Sequence, residues 1–251
     1  MNGIILYDGK SQLDNESDIV VVLTGLETDS ANPKTGKAML QTWILDKNTA
    51  PHEAIKTGAD KSVCGDCKHR GVWNGKKWIE KRTCYVKTFQ APLAVWKKHT
   101  METKLGIWAK AYTKNPYGKP TALKARELVK DRVLRIGSYG DPLAVPQAIW
   151  NNLLKTVKAH TGYTHQWQNK KILADGWNKI VMASVESREE AKQATAQNYR
   201  YFRVMRENAT DKNEILCPAS KEAGVKSECA KCKLCAGTSS KSFKSIAIVQ
   251  H

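Results

Sequence analysis

The sequence has no apolar run approaching the roughly 20 residues that a membrane-spanning helix needs. Its opening, Met1-Asn2-Gly3-Ile4-Ile5-Leu6-Tyr7-Asp8, lacks the basic and apolar regions of a secretion signal. These absences lead us to expect no membrane partner and a cytoplasmic setting, which is a reducing one. An even cysteine count is missing too. Seven cysteines cannot all pair, and in a reducing compartment clustered thiols read as metal ligands rather than disulfides. Acid is scarce: 24 Asp and Glu face 41 Lys and Arg, for a formal net charge of +17. The 41% hydrophobic content suffices for a sizeable core and excludes a disordered chain.

The cysteines fall into a four and a three. Cys217, Cys229, Cys232 and Cys235 follow the order Cys-x11-Cys-x2-Cys-x2-Cys. Two x2 spacings in series let three sulfurs converge from one loop, as in iron-sulfur ferredoxin runs, and a fourth arrives from the strand-like Glu214-Ile215-Leu216. The same thiolates suit tetrahedral zinc. Cys64, Cys67 and Cys84 form the second group, spaced Cys-x2-Cys-x16-Cys. Three readings stand for it: a cluster with one iron left open, a structural zinc completed by His69, or no site.

Charge is concentrated. Residues 61 to 135 hold 19 Lys and Arg against 5 Asp and Glu, interleaved with Trp73, Trp78, Tyr85, Trp96, Trp108, Tyr112 and Tyr117. Such a field attracts polyanions, and base stacking on the aromatics makes nucleic acid the natural partner, through Lys76, Lys77, Lys81 and Arg82. A solvated lysine-rich face over buried aromatics is the alternative.

Strands are expected at residues 19–26, 39–45, 132–139, 161–167, 179–185, 201–205, 214–217 and 245–249, from their β-branched runs. Helices are expected at 91–111, with a break at Gly106, at 121–130, from Pro146 to about Val157, at 169–178 and from Ser187 to Asn198. Pro116 and Pro120 close a loop, and Ser187 with Glu190 is a capping box. The stretch between Cys67 and Cys84 reads as a small hairpin. Alternating strands and helices imply an α/β fold with a parallel sheet or barrel, its chemistry at the carboxyl ends of the strands. One domain is expected: a core at 39–210 with the trio loop at 62–86, then a cysteine-rich tail and closing strand at 211–251.

Three of these strand ends resemble the radical S-adenosylmethionine superfamily. Three cysteines follow an early strand. Gly140-Asp141-Pro142-Leu143 resembles the family's Gly-Glu-Pro turn after the second barrel strand, and Ser184-Val185-Glu186 its Ser-x-Asp/Glu element after the fourth. Nearly the full chain is similar to a family of uncharacterised phage proteins, through Cys64-Gly65-Asp66-Cys67, Cys84-Tyr85-Val86, Gly137 to Pro142, Gly162 to Trp167 and Cys217-Pro218-Ala219-Ser220. The resemblance implies a partial (β/α) barrel in which Cys64, Cys67 and Cys84 bind a [4Fe–4S] cluster. It further implies S-adenosylmethionine held by Gly140, Asp141, Ser184, Glu186 and Arg203, an auxiliary cluster in the tail, an electron donor, and the cytoplasm of an infected bacterial host. The family spacing is Cys-x3-Cys-x2-Cys, so here the sixteen-residue excursion must fold back. Asp141 also reads as a turn residue, Glu186 as a carboxylate at a helix start, and His165 either as a catalytic acid or base or as a core histidine. Two functions follow: an iron-sulfur enzyme acting on nucleic acid or a nucleotide, or a non-catalytic, zinc- or cluster-stabilised nucleic-acid-binding protein.

Overall fold

The computed structural model describes residues 2–29, 35–104 and 117–250, with backbone only at 101–104. The expected break at Gly106 and the residues Trp108, Tyr112 and Pro116 lie outside these.

In chain order the strands are β1 (Gly3–Lys10), β2 (Asp18–Thr24), β3 (Met39–Asp46), β4 (Val72–Trp73), β5 (Trp78–Glu80), β6 (Val133–Tyr139), β7 (Ala159–Thr164), β8 (Met182–Val185), β9 (Tyr201–Met205), β10 (Glu214–Leu216) and β11 (Ser245–Val249). The helices are α1 (Pro51–Thr57), α2 (Lys61–Cys64), α3 (Ala91–Lys104), α4 (Ala122–Leu128), α5 (Gln147–Leu154), α6 (Trp177–Ile180), α7 (Arg188–Ala196) and α8 (Cys229–Cys232). Nine strands form one mixed sheet in the order β1-β2-β3-β6-β7-β8-β9-β11-β10. From β3 onward every neighbour is parallel, whereas β1, β2 and β3 pair antiparallel. β1 joins the antiparallel β2–β3 pair through Ser11–Ser17, a tight connection too short for a crossover. Within the parallel run β6 is second and β8 fourth, each beside its predecessor.

Burial explains the central strands. Ile19 to Leu23 of β2 are wholly buried, as are Ile44, Leu45 and Leu134. Such continuous apolar runs suit strands covered on both faces. Helix α5 buries Trp150 and Leu153 against this core, and the Trp150 indole donates to the Pro142 carbonyl at 3.0 Å. Full burial of each such side chain contributes about 1.5–3 kcal/mol. Ser187 caps α7 by accepting from the Glu190 amide at 3.0 Å, as its sequence signature predicts, while the Glu190 carboxylate accepts from the Glu186 amide instead of from Ser187.

Other boundaries moved. The expected helix at 169–178 shrinks to turns ending in α6, which takes residues 179–180 from the expected strand and leaves β8 to start at Met182. Gly176, at φ +91°, sets this late start. The excursion after Cys67 is a two-stranded hairpin, β4 with β5, as expected. Among the described residues no helix is long and apolar enough to cross a membrane.

Candidate metal centres

The loop carrying Cys64 and Cys67 is strapped across the carboxyl ends of four adjacent parallel strands. At β3, Asp46 accepts from the Ser62 hydroxyl at 3.0 Å. At β6, the Asp141 amide donates to the Val63 carbonyl at 2.6 Å. At β7, the Gln166 side-chain amide donates to the Cys64 carbonyl at 3.2 Å. At β8, Lys68 pairs with Glu190 and His69 with Glu186. The hairpin returns Cys84 to this loop, because the amides of Thr83 and Cys84 both donate to the His69 carbonyl, at 3.2 and 3.1 Å.

The three thiols thus come within electrostatic reach of one another. Burial pushes the Cys64 thiol well up, with Asp60, Cys67 and Cys84 adding to the effect. Burial also raises Cys84, against the pull of Arg82. Thiols that resist ionisation in each other's company are deprotonated by a bound cation. Tyr139 brings a buried hydroxyl without a hydrogen-bond partner to the same place, its titration raised by burial and by Cys64 and Cys84. His69 faces elsewhere: its Nδ1 lies 2.7 Å from Thr83 Oγ1 and its Nε2 3.1 Å from Glu186 Oε1. Both ring nitrogens are thus engaged by Thr83 and Glu186.

His165, at the end of β7, stands between Cys67 and Glu186. Its Nε2 lies 3.4 Å from Glu186 Oε1, and its ring meets His69 edge-on at 5.4 Å between centroids. Burial acts to lower its pKa, but the adjoining Cys67 and Glu186 override this and push it up to about 10. Burial works against ionisation of Glu186, yet the two imidazoles hold its carboxyl far below the usual range.

Asp141 is occupied within the fold. Its carboxylate accepts from the Leu143 amide (3.0 Å), the Thr164 hydroxyl (2.8 Å) and the His165 amide (2.8 Å), tying the end of β6 to that of β7. Burial raises its pKa in spite of these donors. Gly140, at φ +81°, is glycine for packing: a Cβ there would stand 2.6 Å from the Ile44 Cβ on β3. Ser184 is buried on β8, and its carbonyl accepts from the Trp167 indole at 3.0 Å. Arg203 stands opposite Val185 on the neighbouring β9, and its guanidinium donates to both oxygens of the buried Glu214, at 2.7 and 2.6 Å, an ion pair within the fold.

The tail centre sits elsewhere. Cys217, Cys229, Cys232 and Cys235 line one pocket with Thr161 and Tyr163 of β7 and Ile246 of β11. Burial pushes Cys235 up to about 12, with the three other thiols contributing. Arg200, which the sequence pattern does not single out, clamps this tail by donating to the carbonyls of Leu234 and Gly237 at 2.7 Å each and of Lys244 at 3.2 Å. An arginine opening a strand carries no local signal of that duty.

Of the basic candidates, Lys76, Lys77 and Lys81 are exposed on the hairpin. Arg82 instead donates to the carbonyls of Cys84 (2.9 Å) and Val86 (3.0 Å).

Fold and sites together define an α/β protein with a largely parallel sheet and two separate groups of thiols. No family model, no curated protein and no solved structure matches the chain.

Proposed function

We propose that the protein is a compact radical-S-adenosylmethionine-like iron-sulfur enzyme built on a partial (β/α) barrel, acting on nucleic acid or a nucleotide. The observation that carries this reading is positional. The cysteine trio follows the first strand of the parallel run, the Gly140-Asp141-Pro142 turn ends the second and Ser184-Val185-Glu186 ends the fourth, which is the order the resemblance implies.

The donor set fits an open cluster. Three thiols converge, both His69 nitrogens have other partners, and the Tyr139 hydroxyl waits beside them for an acceptor. Thiolates suit both zinc and iron-sulfur, and iron-sulfur is taken here on the resemblance. Held by Cys64, Cys67 and Cys84 and reduced by an external electron donor, such a cluster would supply the one-electron chemistry that cleaves S-adenosylmethionine. The chain's own part is to hold the cluster through Cys64, Cys67 and Cys84, with the Gly140 turn and Ser184 at neighbouring strand ends, and to keep His165 beside Cys67. Glu186 stands apart from this set, its Oε1 lying between two imidazoles.

The exposed Lys76, Lys77 and Lys81 beside the trio support an anionic substrate such as nucleic acid. The test is anaerobic reconstitution and reduction with S-adenosylmethionine. Release of 5′-deoxyadenosine is expected, abolished in Cys84→Ala and retained when the tail cysteines are replaced. A colourless protein carrying stoichiometric zinc and releasing none speaks for the non-catalytic, zinc-stabilised nucleic-acid-binding alternative.

A further inference from the structure

We propose that His69, His165 and Glu186 form a mononuclear site for a divalent transition-metal ion, separate from both groups of thiols. The proposal does not rest on the cluster.

Three chain segments deliver the ligands: the trio loop brings His69, the end of β7 brings His165 and the end of β8 brings Glu186. Their donor atoms all lie within 4.8 Å of one another, with both Nε2 atoms converging on the same carboxylate oxygen, at 3.1 and 3.4 Å. A tetrahedral ion with bonds of about 2.0–2.1 Å to nitrogen and oxygen has ligand-to-ligand edges of about 3.3–3.4 Å. The observed separations are close to those edges.

The second observation is orientation. His165 Nε2 is buried without an aligned hydrogen-bond partner, although it stands beside Glu186. A proton on that nitrogen misses the carboxylate, whereas an ion set off the line joining the two atoms meets the nitrogen lone pair. Outer partners are in place as well. Thr83 Oγ1, at 2.7 Å from His69 Nδ1, is placed to accept a hydrogen bond from that nitrogen, the tautomer that leaves the Nε2 lone pair for an ion beside Glu186. The Glu186 amide is anchored on the Glu190 carboxylate at 2.8 Å, and Lys68 stands 4.0 Å from Glu186 Oε2, leaving Oε1 to the imidazoles. Cys67, next to His165, stays with its own group.

Two imidazoles and a carboxylate suit zinc or ferrous iron. Three protein ligands leave a fourth position for water or a substrate oxygen, the pattern of catalytic rather than structural sites. At the shared carboxyl end of the strands, such an ion would hold a phosphate or hydroxyl of the substrate.

The probe is cobalt(II), titrated into the full-length protein and into Glu186→Gln under identical anaerobic conditions. Whatever the thiols hold is common to both and cancels in the difference. One equivalent of cobalt is expected in that difference, with visible ligand-field bands and no near-ultraviolet thiolate-to-metal band. Thr83→Val is expected to weaken the site by about 10–100-fold without removing it. A null difference, or one carrying a thiolate band, overturns the proposal. Circular dichroism checks the fold of Glu186→Gln, and His69→Gln provides the same comparison should that variant unfold.

Discussion

The pair Arg203 and Glu214 shows what a single residue can be mistaken for. An arginine on a strand reads as a ligand contact until its carboxylate partner, eleven residues away, is seen to be buried with it. Burial works against ionisation of Glu214, but its hydrogen bonds with Arg203 hold the carboxyl below the usual range. A carboxyl lowered on folding adds stability that is present at neutral pH and is lost as pH falls through its folded value. Glu214→Gln leaves the arginine uncompensated and is expected to cost about 3–5 kcal/mol at pH 7. Urea unfolding across pH should show the gap from wild type at full size above the ordinary carboxylate value, narrowing as pH falls below it and closed below the folded value. A gap of constant size at still lower pH counts against the ion pair. Arg203→Met is expected to lower stability while leaving metal content unchanged.

Among the elements, the β4–β5 hairpin and the tail clamp each join a local motif to a distant one. The hairpin carries Lys76, Lys77 and Lys81 outward while its stem returns Cys84 to Cys64 and Cys67. Trp73 and Trp78, edge to face with centroids 5.4 Å apart, brace it. Reversing the three lysines to Glu is expected to weaken nucleic-acid binding and to shallow its salt dependence by up to about 0.9 for each phosphate no longer neutralised. Filter binding across a salt series measures this, and an unaltered slope removes the hairpin from the interface. Arg82→Ala belongs to a different experiment, because it releases the carbonyls flanking Tyr85 and is expected to lower trio metal content instead. At the other centre, Arg200→Lys cannot span the three tail carbonyls that arginine holds. It is expected to cost about 2–4 kcal/mol and to speed chelation of tail metal, followed with a chromogenic chelator.

On the scale of the whole molecule, the two groups of thiols are mounted independently. The trio stands over the carboxyl ends of β3, β6, β7 and β8, and the tail group packs beside Thr161, Tyr163 and Ile246. No thiol is shared between them. Cys229→Ala with Cys232→Ala is therefore expected to remove about half of the bound metal, and about all of the tail's share, leaving the trio loaded. Metal analysis beside wild type decides it, with an unchanged total as the contrary result.

The sequence by itself determined the α/β class, most of the parallel strands, helices α3, α4, α5 and α7, the division of seven cysteines into four and three, and the hairpin between Cys67 and Cys84. Each of these is written in short-range pattern: β-branched runs, a capping serine, thiols spaced by two. The edge strand β1 and the short helices α1 and α2 were not legible, because their few residues show no clear period and tertiary contacts hold them. Which turn residues face a ligand and which hold the fold was equally hidden. Asp141 reads as a cofactor contact or as a turn residue with nothing to choose between them until Thr164 and the His165 amide are seen on its carboxylate, and the Glu214 partner of Arg203 is equally unseen. The meeting of His69, His165 and Glu186 belongs to tertiary structure alone. Three residues spread over more than a hundred positions converge only because parallel neighbours β7 and β8 end side by side beneath one loop.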